Sequence, residues 1–107
     1  MPTVFNGAEE STRNEIVAVG TTSVQVCTPR VSEGDRRKDL WIRNTSPNAT
    51  DIITLAIGFR AAVANAGIVL QQKEAIVISQ DAGPIVPQGA IHAICATATG
   101  QLSVFER

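Results

Sequence analysis

The feature that most restricts the fold of this chain is a regular succession of short apolar segments, each ended by turn-forming residues. From Glu15 onward, segments rich in Val, Ile, Leu and Ala alternate with stretches rich in Gly, Pro, Asn and Asp. This spacing is typical of sandwiches and barrels built from short antiparallel strands. The sequence therefore predicts an all-β fold, an antiparallel β-sandwich or barrel-like domain.

The apolar segments predict eight strands. They cover residues 16–19, 23–27, 40–44, 52–57, 68–70, 75–79, 90–96 and 101–106. We expect the first two to form a hairpin around the turn at residues 20–22, and the last two to form a closing antiparallel pair. In the third segment, Leu40 and Ile42 alternate with Trp41 and Arg43, so one of these pairs is expected to face the core.

The chain divides into an arm and one body. Residues 1–14 are polar except for Val4 and Phe5 and show no strand or helix periodicity, so they predict an extended N-terminal arm. Residues 15–107 are enough for one β-sandwich domain with a single core. The arm is expected to be either a frayed terminus or a strap whose tip, Pro2, Thr3, Val4 and Phe5, binds a partner or a neighbouring subunit.

Charge and hydropathy exclude several classes of partner. The net charge of −1 offers no positive field for nucleic acid or an acidic membrane surface. No apolar run approaches the ~20 residues of a membrane-spanning helix, and the N-terminus does not have the pattern of a secretory signal. We therefore expect production in a cytoplasm, and we interpret the sequons at Asn44 and Asn48 as turn-forming sequences.

No pattern of residues indicates an active site. His92 is the only histidine and lies within a predicted strand, and Cys27 and Cys95 are isolated from each other and from any zinc-like spacing. The two cysteines are expected to be reduced core residues, with a disulfide between neighbouring strands as the alternative. The acidic residues, Glu106 among them, are scattered over loops and strand ends, where carboxylates are normally solvated. We expect no enzyme activity, cofactor, metal or small-molecule substrate.

One cluster of charges interrupts the pattern of strands and turns. It consists of Asp35, Arg36, Arg37, Lys38 and Asp39. Because acidic residues flank the basic ones, the cluster is a poor phosphate site. We expect either a solvated loop or a set of salt bridges between subunits.

The chain resembles small structural proteins of tailed bacteriophages, the head decoration (cement) proteins and head-fibre modules. The resemblance covers residues 36–106 and is carried by RKDLWIRN (37–44), ITLAIG (53–58), AGIVL (66–70), GAIHAI (89–94) and LSVFE (102–106). It implies a β-sandwich, often trimeric, that sits on the outside of a capsid and uses a terminal arm to reach across the shell.

The resemblance leads to one main hypothesis about function. We expect a virion protein, a capsid decoration (cement) protein that binds the major capsid protein as a homotrimer and stabilises the head by bridging its subunits. The alternatives are a low-copy tail or head-fibre module and a carbohydrate-binding β-sandwich. The last of these is disfavoured by the sequence because sugar sites use exposed aromatic rings, and Trp41 is the only tryptophan in a chain without tyrosine.

Overall fold

The computed structural model describes residues 12–30, 33–58, 60–80 and 86–107. These residues form eight β-strands and one short 3-10 helix, Glu33–Asp35. The strands are β1 (Arg13–Val19), β2 (Val24–Cys27), β3 (Asp39–Asn44), β4 (Ile53–Ile57), β5 (Ile68–Leu70), β6 (Ala75–Ser79), β7 (Ile91–Cys95) and β8 (Gly100–Glu106). Every predicted strand has a counterpart, and the prediction of an all-β fold is confirmed. The tip of the predicted arm lies outside the described residues, and residues 13 and 14, which the sequence pattern places in the arm, form the start of β1 instead.

Two antiparallel sheets pack face to face as a sandwich. Sheet 1 has the strand order β1-β8-β3-β6, and sheet 2 has the order β2-β7-β4-β5. The first strand pairs with the last, the second with the seventh, the third with the sixth and the fourth with the fifth. This nested pairing is the strand order of a jelly roll.

The two predicted hairpins are wrong, because the strands of each pair lie in different sheets. After β1 the chain crosses from sheet 1 to sheet 2, and the Gly20 carbonyl accepts a hydrogen bond of 2.8 Å from the backbone N–H of Cys95 in β7. The chain crosses back in the same way between β7 and β8. Turns rich in Gly and Thr suit such crossings as well as they suit a hairpin, so local sequence does not distinguish the two.

The core between the sheets is aliphatic. Its fully buried members come from both sheets and include Leu40, Ile42, Ile53, Leu55 and Leu102. In β3 the alternation places Leu40 and Ile42 in this core, while Trp41 and Arg43 point to the outer surface of sheet 1, as the sequence pattern predicts. Among the described residues, no helix is long and apolar enough to cross a bilayer.

Both cysteines are free and buried, so the expectation of reduced core residues is confirmed. Cys27 lies opposite Ile91 in the β2–β7 register, and Cys95 is four residues further along β7. At the rise of a strand this offset is about 13 Å, well beyond the Cα separation of a disulfide.

The native protein is expected to react very slowly with thiol reagents. Burial raises the pKa of Cys27 to about 11, which leaves a thiolate fraction of about one in ten thousand at pH 7. A chromogenic disulfide reagent should label almost no thiol in buffer and both thiols in denaturant. Rapid labelling of the native chain would contradict the described packing.

Candidate functional site

A buried carboxylate surrounded by arginines lies where β1 begins and β8 ends. Glu106 is only 1% exposed, and its Oε2 accepts a hydrogen bond of 2.6 Å from Nη1 of Arg13. Its Oε1 accepts one of 2.8 Å from Nε of Arg37 and lies 3.3 Å from Nε of Arg30. We call these four residues the Glu106 cluster. It joins β1, the segment between β2 and β3, and β8.

Arg37 is the central arginine of the cluster. Its side chain is fully buried. In addition to the hydrogen bond to Glu106, the guanidinium donates hydrogen bonds to the backbone carbonyls of Thr28, at 3.0 Å, and Pro87. The side-chain amide of Gln88 also donates to the Arg37 carbonyl at 2.7 Å. The prediction of a solvated loop is therefore wrong for Arg37. A buried carboxylate and backbone carbonyls accept the hydrogen bonds that its guanidinium would make to water in a solvated loop.

The other residues of the predicted charge cluster have different surroundings. Asp39 accepts hydrogen bonds of 2.7 Å from the Ser79 hydroxyl and 2.5 Å from Nη2 of Arg107. These partners lower the pKa of Asp39, so it stays charged in mildly acidic solution. Asp35 is half exposed and lies 3.8 Å from Arg30. Arg36 and Lys38 are exposed, so salt bridges between subunits stay a prediction for these two residues.

The arginines control the ionisation of Glu106. Burial alone would raise the pKa of this carboxyl group, but hydrogen bonds from Arg13 and Arg37 and the positive charges of Arg37 and Arg30 outweigh that effect. The pKa of Glu106 therefore lies below its ordinary value, and the side chain is an anion at neutral pH. An anion held by several buried cations and their hydrogen bonds is difficult to separate from them.

The cluster also secures the strand that continues the predicted arm. β1 is an edge strand, and among the described residues its only strand partner is β8. Arg13 is the first residue of β1 and Glu106 the last of β8, and the two residues are also paired in the register. The ion pair thus adds a side-chain bond to the backbone ladder at the end of β1 nearest to residues 1–11.

The outer surface of sheet 1 carries a second candidate site, centred on two aromatic rings. Phe105 and Trp41 are register neighbours, with ring centroids 5.8 Å apart and ring planes at 59°. Asn14 follows Phe105 on β1, and Val77 follows Trp41 on β6, so the four side chains form one row across the sheet. Trp41 is 53% exposed and Val77 60%. We call this surface the aromatic face.

On β3 and β8, polar residues border the aromatic row on both sides. One row contains Ser103 and Arg43, which are register neighbours. The other contains Asp39 and its partners Ser79 and Arg107. Together these rows line a groove of about 850 Å³. Trp41 is available as an exposed ring, because β3 directs its two neighbours, Leu40 and Ile42, into the core instead.

The described residues do not assemble a catalytic set. His92 is half-buried in β7, between Gln25 of β2 and Ala56 of β4, and neither neighbour is a nucleophile or an acid. In the described part of the chain, no three His, Cys, Asp or Glu side chains come together in a way that could hold a metal ion.

The chain matches no protein-family model and no curated protein.

The sequence patterns do not predict the role of Glu106, although one of them contains a signal for it. Residues of β8 alternate between buried and half-buried, with Leu102, Val104 and Glu106 facing inward. The alternation predicts an inward carboxylate, which requires buried cations as partners. The partners themselves come from residues 13, 30 and 37, and no local pattern connects them with residue 106.

Proposed function

We propose that this chain is a structural protein of a viral particle, a decoration (cement) protein that binds the outside of a phage head. It binds the major capsid protein through its N-terminal arm and bridges neighbouring capsid subunits. The resemblance of residues 36–106 to decoration and head-fibre proteins supports this proposal, as does a jelly-roll body, an architecture that occurs in viral capsid proteins.

The observation that carries the proposal is the attachment of β1 to the body. A strap that holds a capsid subunit transmits load to the strand from which it extends, and an edge strand paired on one side is the easiest strand to detach. The bond from Arg13 to the buried Glu106 opposes detachment at the end of β1 where load from the arm would arrive. A frayed terminus without a function has no need of such a bond.

In this proposal the protein acts as a trimer. Three arms on one body convert individually weak contacts into tight attachment, because binding of the first arm raises the effective concentration of the others. The exposed side chains of Arg36 and Lys38 are candidates for contacts between copies. Mass measurement of the purified protein by light scattering tests this step, and a strict monomer would contradict it.

Purified particles of the virus that encodes the chain should contain it in a simple ratio to the major capsid protein. Quantitative mass spectrometry measures this ratio directly. A handful of copies per particle would indicate a tail or head-fibre part, and absence from particles would overturn the proposal.

Deleting residues 1–11 should abolish binding to heads that lack the protein, while the body keeps its thermal stability. The deletion leaves Arg13 and its ion pair in place, so the body is expected to fold as before. Cosedimentation with heads measures binding, and unfolding followed by circular dichroism measures stability. A truncated protein that still sediments with heads would contradict the role of the arm.

A further inference from the structure

We propose that the aromatic face binds a saccharide that carries a carboxylate, a role that goes beyond attachment to a head. The ligand would lie over Trp41, with its carboxylate on Arg43 and its hydroxyl groups on the polar side chains of the two bordering rows. Three features of the aromatic face favour such a ligand: the width of the apolar row, the charges beside it and the size of the groove.

On the two central strands, β3 and β8, the apolar part of the aromatic face is one row wide; the exposed side chains of Ile16 and Ala75 widen it only at the two ends of the Arg43 row. Alternate residues on one face of a strand are about 6.8 Å apart, so Arg43 and Asp39 lie at about that distance along β3 on either side of Trp41. The core of a contact between protein copies is normally larger and depleted of charged residues. A narrow aromatic strip between hydrogen-bonding groups fits a pyranose ring, whose faces present C–H groups and whose edge presents equatorial hydroxyls.

Trp41 is held in place but not covered. Its contact with Phe105 restrains the indole from one side, and its half-exposed surface leaves area for a ligand. An indole that is already ordered binds a ring with little further loss of side-chain entropy. The groove of about 850 Å³ lies within the range of about 300–1,000 Å³ found for small-ligand sites.

The charges on the face select an acidic ligand. Asp39 and Arg107 neutralise each other through hydrogen bonds of 3.0 Å and 2.5 Å. Arg43 is exposed on the other side of Trp41, and among the described residues no carboxylate pairs with its guanidinium. An unpaired guanidinium binds a carboxylate through two parallel charge-assisted hydrogen bonds, which are stronger than those it makes with the uncharged hydroxyls of a neutral sugar.

Trp41 allows a direct test because it is the only tryptophan in the chain. The purified protein is applied to an array of glycans with and without uronic or sialic acid residues, and the strongest ligand is then titrated while tryptophan emission is recorded. We expect array signals restricted to the carboxylate-bearing glycans. The titration should shift the emission to shorter wavelength and reduce quenching by acrylamide, because the sugar excludes water from the indole.

Four variants separate the site from the rest of the surface, with affinities measured by calorimetry. Trp41→Ala should weaken binding by about 30-fold or more, as expected for loss of a central aromatic contact. Arg43→Gln should weaken binding of the acidic glycan by about tenfold, because the carboxylate loses its charged partner. The matched controls, Arg60→Gln and Val63→Ala, change an exposed arginine and an exposed apolar residue in the β4–β5 connection and should leave affinity unchanged.

Three results would overturn the proposal. The first is an array without signals from carboxylate-bearing glycans. The second is binding that Trp41→Ala and Arg43→Gln leave unchanged, which would place the ligand elsewhere. The third is a blue shift of Trp41 emission that depends on protein concentration without any glycan, because a second copy of the chain would then cover the face. A folded state for each variant is verified by circular dichroism.

Discussion

We expect the substitution Glu106→Gln to lower the free energy of unfolding by about 3–5 kcal/mol at pH 7. The substitution keeps the size of the side chain but removes the negative charge that Arg13, Arg30 and Arg37 surround. Removing one partner of a buried ion pair leaves the other charge buried without a counterion, which costs about 3–5 kcal/mol of stability. Urea denaturation followed by circular dichroism measures the difference.

Asp35→Asn is the matched control, since it also removes one negative charge beside Arg30. Asp35 is half exposed and 3.8 Å from the guanidinium, so its loss should cost at most about 1 kcal/mol. If the two variants lose equal stability, the Glu106 cluster does not hold the fold together.

The effect of Glu106→Gln should depend on pH in a defined direction. The pKa of Glu106 is lower in the folded chain than its ordinary value of 4.5, so ionised Glu106 stabilises the fold fully above that pH. The contribution disappears as the pH falls through the folded pKa. The difference in unfolding free energy between the two proteins should therefore narrow below about pH 4.5. A difference that widens in acid would contradict the described ion pairs.

Asn44→Ala is expected to lower the free energy of unfolding by about 3 kcal/mol or more. The Nδ2 group of Asn44 donates to the backbone carbonyls of Asp51 at 2.7 Å and Leu70 at 3.0 Å, and its Oδ1 accepts from the N–H of Ser46 at 3.0 Å. All four residues are buried, so truncation removes a hydrogen-bond partner from three buried backbone groups, and each loss costs about 1–3 kcal/mol. Urea denaturation again provides the measurement.

The second sequon supplies the control for this experiment. Asn48 lies in the loop that follows β3 and is exposed, and its side-chain amide donates a long hydrogen bond of 3.4 Å to Thr99. Asn48→Ala should cost less than about 1 kcal/mol. If Asn44→Ala and Asn48→Ala lower the free energy of unfolding by similar amounts, the buried hydrogen bonds of Asn44 do not contribute measurably to stability.

The Glu106 cluster and the aromatic face belong to the same sheet but have separate roles in our proposals. The cluster lies on the inner side of sheet 1 and secures the strand that continues the predicted arm. The aromatic face lies on the outer side, where Trp41 and Phe105 are available to a ligand. Because side chains of one strand alternate between the two sides, β8 contributes Glu106 to the first site and Phe105 to the second.

Local sequence alone predicts the strands of this protein and the direction of many side chains. Runs of branched aliphatic residues favour extended backbone, and Gly, Pro, Asn and Asp end them, so each strand can be located without knowledge of its partner. The alternation in β3 also separates the buried Leu40 and Ile42 from the outward Trp41 and Arg43. Both properties depend only on residues a few positions apart.

Only the tertiary structure decides which strands pair and which charges meet. A period of two residues defines two faces of a strand but contains no information about its neighbour, so the pairing of β1 with β8 follows from burial of both sheets in one core. That pairing brings Arg13 to Glu106 across 93 positions of sequence. In the sequence Glu106 resembles any other solvated carboxylate, because the partners that make it a buried anion are assembled only when the two ends of the chain lie side by side.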